Sequence, residues 1–256
     1  MINFIDDINP IILAFLATLF TFLVTTLGAS IVFFFKNIEK TIMDICLSIS
    51  AGIMLAASYF SLLNPSIELS NKLNISLIFS FLGFILGGLL ILLGNKLYNK
   101  NKKQKRLSML IFSITLHNIP EGLAIGVAFG SILYNLEGAT LSSALILALG
   151  IGIQNFPEGS AISLPLRREG LTRKKSFLIG SLSGIVEPIS GFIGAILAIK
   201  IQYILPFLLS FAAGAMIYVV IIELIPESQT NEKKDLMALF SIIGFLIMMI
   251  LDVTLG

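Results

Sequence analysis

The chain contains eight apolar stretches, each long enough to cross the roughly 30 Å of hydrocarbon in a bilayer. They fall near 8–35, 41–63, 75–94, 108–132, 140–166, 175–199, 202–226 and 236–255. Strands of a membrane barrel would alternate apolar and polar residues, and these stretches are too long and too evenly apolar for that. Charged residues make up 12% of the chain, about half the roughly 25% of a soluble domain, and the mean hydropathy is +0.98. The expected fold is an all-α membrane protein, a bundle of eight transmembrane helices forming a single transmembrane domain over 1–256 with no soluble domain.

The basic residues set an orientation. Fifteen of the seventeen Lys and Arg fall in the connections after stretches one, three, five and seven, and only Lys72 and Lys200 lie on the other side. The positive-inside rule places the fifteen in the cytoplasm and both termini outside, in a multi-pass protein of the cell membrane. The longest basic loop, 95–107, reads as a topology anchor near anionic lipid rather than a nucleic-acid site. The N-terminus lacks a basic region and carries Asp6 and Asp7, so the first stretch reads as a spanning helix rather than a signal peptide. Cys46 is the sole cysteine and offers neither an internal disulfide nor a zinc-ribbon spacing.

Inside the stretches, past the boundary residue Lys175, there is no Lys or Arg, yet Glu121, Glu158, Glu187 and Glu223 lie well inside, with Asp44 and Asp252 nearer the ends. A carboxylate at mid-membrane costs on the order of 3 kcal/mol on insertion scales, against about −0.5 for Leu. With no basic side chain at depth, such acids either hold protons or surround a bound cation. Their neighbours favour the cation. Stretch four contains His117-Asn118-Ile119-Pro120-Glu121-Gly122, and stretch five contains Gln154-Asn155-Phe156-Pro157-Glu158-Gly159. On a helix His117 lies beside Glu121 and Gln154 beside Glu158, with Asn118 and Asn155 on the adjoining strip. Pro120 and Pro157 remove one backbone donor each, so both helices are expected to kink there. Imidazole nitrogen, carboxylate and amide oxygen form a mixed set that suits Zn, Fe(II), Co, Mn or Cd better than Mg or Ca.

These motifs resemble the paired signatures of the ZIP metal transporters. The likeness continues through AGIMLAAS (51–58), GLAIGVAFG (122–130), PEGSAISLPLR (157–167), LSGIVEPISG (182–191) and the segment from AAGAMIYVV to ELIPES (212–228), a pattern similar to the GufA-type branch. The resemblance implies a two-metal centre between helices four and five. The first ion would take His117, Glu121, Gln154 and Glu158, with Met54 a further thioether candidate. The second would take Asn118, Asn155 and Glu187 and share Glu121 and Glu158, while Glu223 would lie along the pathway. The transported substrate would be Zn2+ or another divalent transition metal, moving into the cytoplasm. Two departures stand out: Gln154 occupies a position often held by His, and loop 95–107, often His-rich in the family, contains no His. The second departure argues against metal delivery by that loop.

Two other function classes fit the sequence less well. A zincin-type intramembrane enzyme wants HExxH, and His117 is the only histidine. A proton-coupled transporter of an organic substrate would use the acids as relays, but the absence of intramembrane Lys and Arg argues against anionic substrates. The expected partners are divalent ions and the lipid bilayer; the oligomeric state, a homodimer included, stays open.

Overall fold

The structure is a computed structural model and describes residues 8–34, 40–97, 102–136, 139–230 and 232–255. Asp6, Asp7, Lys36, Lys100 and part of the basic loop therefore lie outside the described residues. Among those described, eight helices are long and apolar enough to cross a membrane, and there is no strand. They are α1 (Pro10–Phe33), α2 (Lys40–Lys72), α3 (Ile78–Leu97), α4 (Lys102–Leu133), α5 (Leu141–Arg168), α6 (Arg173–Ile196), α7 (Leu205–Ser228) and α8 (Lys234–Leu255).

Local chemistry explains the ends. Asn9 caps α1 by accepting from the Ile11 N–H, with Pro10 in the first turn. Thr140 and Ser143 form a reciprocal capping box at the start of α5, and Thr172 caps α6. Helices α2, α4 and α5 stop at Asn74, Asn135 and Gly170, each with positive φ, and the next N–H reaches back to Ser70, Ser131 and Leu166.

Three boundaries differ from the sequence expectation. Helix α2 runs on to Lys72 because a π turn, Ser58–Leu63, precedes Pro65 and accommodates its missing donor. Helix α4 begins at Lys102, so part of the basic loop is helical. The chain between α6 and α7 makes a single helical turn, Ala198–Ile201, rather than extending either helix. Pro120, Pro157 and Pro165 lie inside uninterrupted α-helix. The changes of winding sit elsewhere: the wider π turns Ser58–Leu63 and Val220–Leu224, before Pro65 and Pro226, and the tighter 3₁₀ turn Ser183–Ile185, before Pro188.

The helices pair α1 with α5, α4 with α6, α3 with α7 and α2 with α8. Small residues set these contacts, as the strips Gly122-Gly126-Gly130 and Gly83-Gly87 suggest. A Cβ on Gly28 would fall on the Phe156 carbonyl, one on Gly126 on that of Gly191, one on Gly87 on that of Phe211, and one on Gly52 on that of Ser241. Helices α1, α4, α5 and α6 also contact one another, as do α2, α7 and their partners, so the bundle divides into two groups of four. The groups meet mainly where α4 packs on α7 and α5 on α2.

Candidate metal centre

The motif residues converge inside the first group. His117, Asn118 and Glu121 on α4, Asn155 and Glu158 on α5, and Glu187 on α6 are fully buried, and Gln154 nearly so. One ligand atom each from His117, Glu121 and Glu158 lies within 4.8 Å of the others, the spacing of groups that can hold one metal ion. The pairings run diagonally between helices rather than along them. His117 Nε2 is 3.0 Å from Glu158 Oε2, and Gln154 Nε2 donates to Glu121 Oε1. Glu187 reaches the centre because Gly122 lets its backbone approach α4, where a Cβ would collide with the Glu187 carbonyl.

Each amide in the centre is oriented the same way. Asn118 Nδ2 donates to the Ser183 carbonyl at 3.1 Å, Asn155 Nδ2 to Glu187 Oε2 at 2.7 Å, and Gln154 Nε2 to Glu121. The nitrogens are engaged, and the oxygens are not. Asn118 Oδ1, Gln154 Oε1, Asn155 Oδ1, Glu121 Oε2 and Glu158 Oε1 are all buried and have no hydrogen-bonding partner. Burying a polar oxygen without a partner costs about 1–3 kcal/mol. All five are acceptors on the motif residues of α4 and α5, the two helices that bring His117, Glu121 and Glu158 together, and a cation is the kind of partner that would satisfy them. The donor set of one imidazole, carboxylates and amide oxygens fits a divalent transition metal.

Two further expected residues are also buried. Met54 on α2 lies in the large apolar core that α2 and α7 share with α4 and α5. Glu223 lies in the π turn of α7.

Sequence reasoning passed over Thr21 and Thr25 on α1. Thr21 Oγ1 donates to Glu187 Oε2, and Thr25 Oγ1 is 3.5 Å from Glu187 Oε1. Their signal was present: Thr18, Thr21 and Thr25 repeat on one face of an otherwise apolar helix, and all are buried. Arg168, read only as an orientation marker, places Nη1 2.5 Å from Glu227 Oε1 on α7 and 3.6 Å from Asp44 Oδ1 on α2. This ion pair bridges the two groups at the end of α5. Toward the opposite end lies a cavity of about 560 Å³, lined by Glu68 and Lys72 of α2, Ala124 and Val127 of α4, Leu147 of α5 and Leu205 of α7. Ala124 is three residues, a rise of about 4.5 Å, along the helix from Glu121.

Eight apolar helices around a buried acidic centre define a helical membrane protein of the kind that handles a cation inside the bilayer. Comparison with known proteins gives the family. The ZIP zinc transporter family model matches residues 101–252. The zinc transporter ZIP11 of Xenopus tropicalis is 36% identical over 98% of this chain and 100% of its own length. The zinc transporter ZIPB of Bordetella bronchiseptica is 33% identical over 92% of this chain and 79% of its own. GufA of Myxococcus xanthus, also a zinc transporter, is 34% identical over 58% of this chain and 56% of its own. The chain belongs to the ZIP family of metal transporters, which are transporters rather than enzymes.

Proposed function

We propose that the protein carries zinc, and with it other divalent transition ions, into the cytoplasm through a two-ion centre between α4 and α5. The observation that carries this reading is the set of five buried, unpartnered oxygens around His117. The first ion takes His117, Glu121, Gln154 and Glu158, with Met54 as an added thioether. The second takes Asn118, Asn155 and Glu187 and shares Glu121 and Glu158. Amide and carboxylate oxygens, without any thiolate, bind weakly enough for the ion to leave again.

Alternating access is the route this arrangement favours. The cavity lies between the two helix groups and approaches Glu121 from the end that the charge distribution assigns to the outside. At the other end of α5 the groups are held together by Arg168 with Glu227 and Asp44. This combination fits a carrier open outward and closed inward. Movement of one group against the other would reverse the two, on the µs–ms or slower timescale of conformational change. Glu223 on α7 is a candidate contact for the outgoing ion.

The test is radiolabelled zinc uptake into proteoliposomes, followed by competition with iron(II), manganese, cobalt and cadmium. Uptake should saturate with zinc and be lost in Glu121→Gln and Glu158→Gln. Undiminished uptake in both variants would remove the shared-carboxylate centre, and single-channel conductance near ~10⁷ ions per second would replace the carrier with a channel, because carrier turnover is limited to conformational rates.

A further inference from the structure

Helix α1 brings threonines into the centre that neither the paired motifs nor the acidic residues announce. Its buried face reads Ala14, Thr18, Thr21, Thr25, Gly28 and Ala29. A threonine inside a membrane helix ordinarily bonds the carbonyl three or four residues back. Thr18 does only this, with its hydroxyl 2.8 Å from the Ala14 carbonyl and 3.2 Å from that of Phe15. Thr21 differs. Its hydroxyl lies 2.9 Å from the Thr18 carbonyl and also meets Glu187 Oε2. The hydroxyl has one proton to give, and an ionised carboxylate is the stronger acceptor. Thr25 Oγ1 lies 3.2 Å from the Thr21 carbonyl and, more distantly at 3.5 Å, from the other oxygen of the same carboxylate, and Asn155 Nδ2 completes the set. Glu187 is thus gripped by α1 and α5 as well as carried by α6.

We propose that Thr21, supported by Thr25, is a positioning residue of the metal centre, fixing the Glu187 carboxylate so that it can ligate the second ion. The proposal rests on the two-ion reading above. Ligating carboxylates are themselves held by hydrogen bonds, and loss of such an outer partner costs about 10–100-fold in metal affinity. The clasp also gives α1 a task. It ties the carboxylate of α6 to the α1–α5 pair, so the second ion senses the packing of three helices.

The experiment is calorimetric titration of the detergent-solubilised full chain with zinc, for wild type, Thr21→Val, Thr21→Ser, Thr25→Val and Thr18→Val, with helical content checked by circular dichroism. Wild type should bind two ions. Thr21→Val keeps the methyl shape and loses the hydroxyl, so it should weaken the second zinc by about 10–100-fold and leave the first unchanged. Thr21→Ser should restore near-wild-type binding, Thr25→Val should show a smaller loss, and Thr18→Val should show none. In a Glu187→Gln background Thr21→Val should add nothing, since the two residues act as one unit. Two ions bound with wild-type affinity by Thr21→Val would overturn the clasp and leave the two-ion reading intact. So would a Thr18→Val defect as large, or a Thr21→Ser defect as large as that of Val, since either marks packing alone. A wild type that binds a single ion would overturn the two-ion reading, and the clasp with it. Should Thr21→Val fail to fold, Thr25→Val and the serine variant still decide.

Discussion

Two buried polar clusters, one in each helix group, are treated in opposite ways. In α2, α3 and α7, Ser66, Ser70 and Ser80 are fully buried, and they satisfy one another. Ser66 donates at 2.8 Å to Ser80 and lies 2.5 Å from the Pro206 carbonyl, while Ser70 and Ser80 are 3.0 Å apart. In α4 and α5, five oxygens are equally buried and left open. A membrane offers no water to repair such a deficit. The closed cluster reads as adhesion between helices, and the open one as a site waiting for a cation. Buried hydroxyls of Thr26, Ser163, Ser176 and Ser181 also lack a partner, so what distinguishes the open cluster is the gathering of amide and carboxylate acceptors beside His117 rather than lack of satisfaction alone.

The largest effect that can break this comparison is removal of a shared carboxylate. Glu121→Gln or Glu158→Gln should weaken zinc binding by about 100-fold or more, equivalent to about 3 kcal/mol, at both ions, in calorimetric titration. His117→Ala should damage the first ion chiefly, and Glu187→Gln the second, with a first-site ion still detectable. A protein that binds two zinc ions as tightly without Glu158 would erase the distinction between the two polar clusters. The second effect is pH. His117 binds metal as neutral imidazole and the acids bind it as carboxylates, so each proton displaced makes affinity fall about tenfold per pH unit of acidification. Titrations in two buffers of different ionisation enthalpy would count those protons. No proton release, with affinity independent of pH, would mean that the carboxylates do not ligate.

Much of this was legible in the sequence. The eight spans and the helical class follow from hydropathy, the polar pairs on each helix from their spacing of one turn, and the meeting of the two motifs was implied by the family resemblance alone. The diagonal pairing of His117 with Glu158 and of Gln154 with Glu121 did not, because it depends on how α4 and α5 cross. Nor did the contribution of α1. A threonine in an apolar helix carries the same letter whether it bonds its own backbone, as Thr18 does, or a carboxylate on another helix, as Thr21 does. Proline acts in two ways. Pro120 and Pro157 lie within continuous helical assignment, whereas π turns precede Pro65 and Pro226. The sequence does not say which prolines change the local winding.

The glycine contacts sharpen the comparison at intermediate size. A methyl added at Gly122 meets the Glu187 backbone and Ser190, while one at Gly87 meets the Phe211 carbonyl. Overpacking of this kind costs about 1–3 kcal/mol of stability. Gly122→Ala and Gly87→Ala should therefore lower the unfolding temperature alike. Only Gly122→Ala should also weaken the second zinc ion, because it displaces Glu187. Equal loss of zinc binding in both would mean that the groups are not independent supports.

The smallest effect tests the closed cluster itself. Ser80→Ala removes the hydroxyl that Ser66 and Ser70 share between α2 and α3. Ser66 keeps the Pro206 carbonyl as an acceptor, while Ser70 loses the one partner described for it and must turn to a carbonyl of its own helix. Losing both contacts costs about 1–2 kcal/mol. The zinc centre lies in the other group, and Ser80 touches none of its residues in the contacts described. Thermal unfolding of Ser80→Ala should shift down slightly, while both zinc affinities stay at wild-type values. If zinc instead raised the unfolding temperature of wild type but not of Ser80→Ala, the serine cluster would be coupled to the ion. Polarity in the second group would then serve transport, and satisfaction of hydrogen bonds would no longer separate the two.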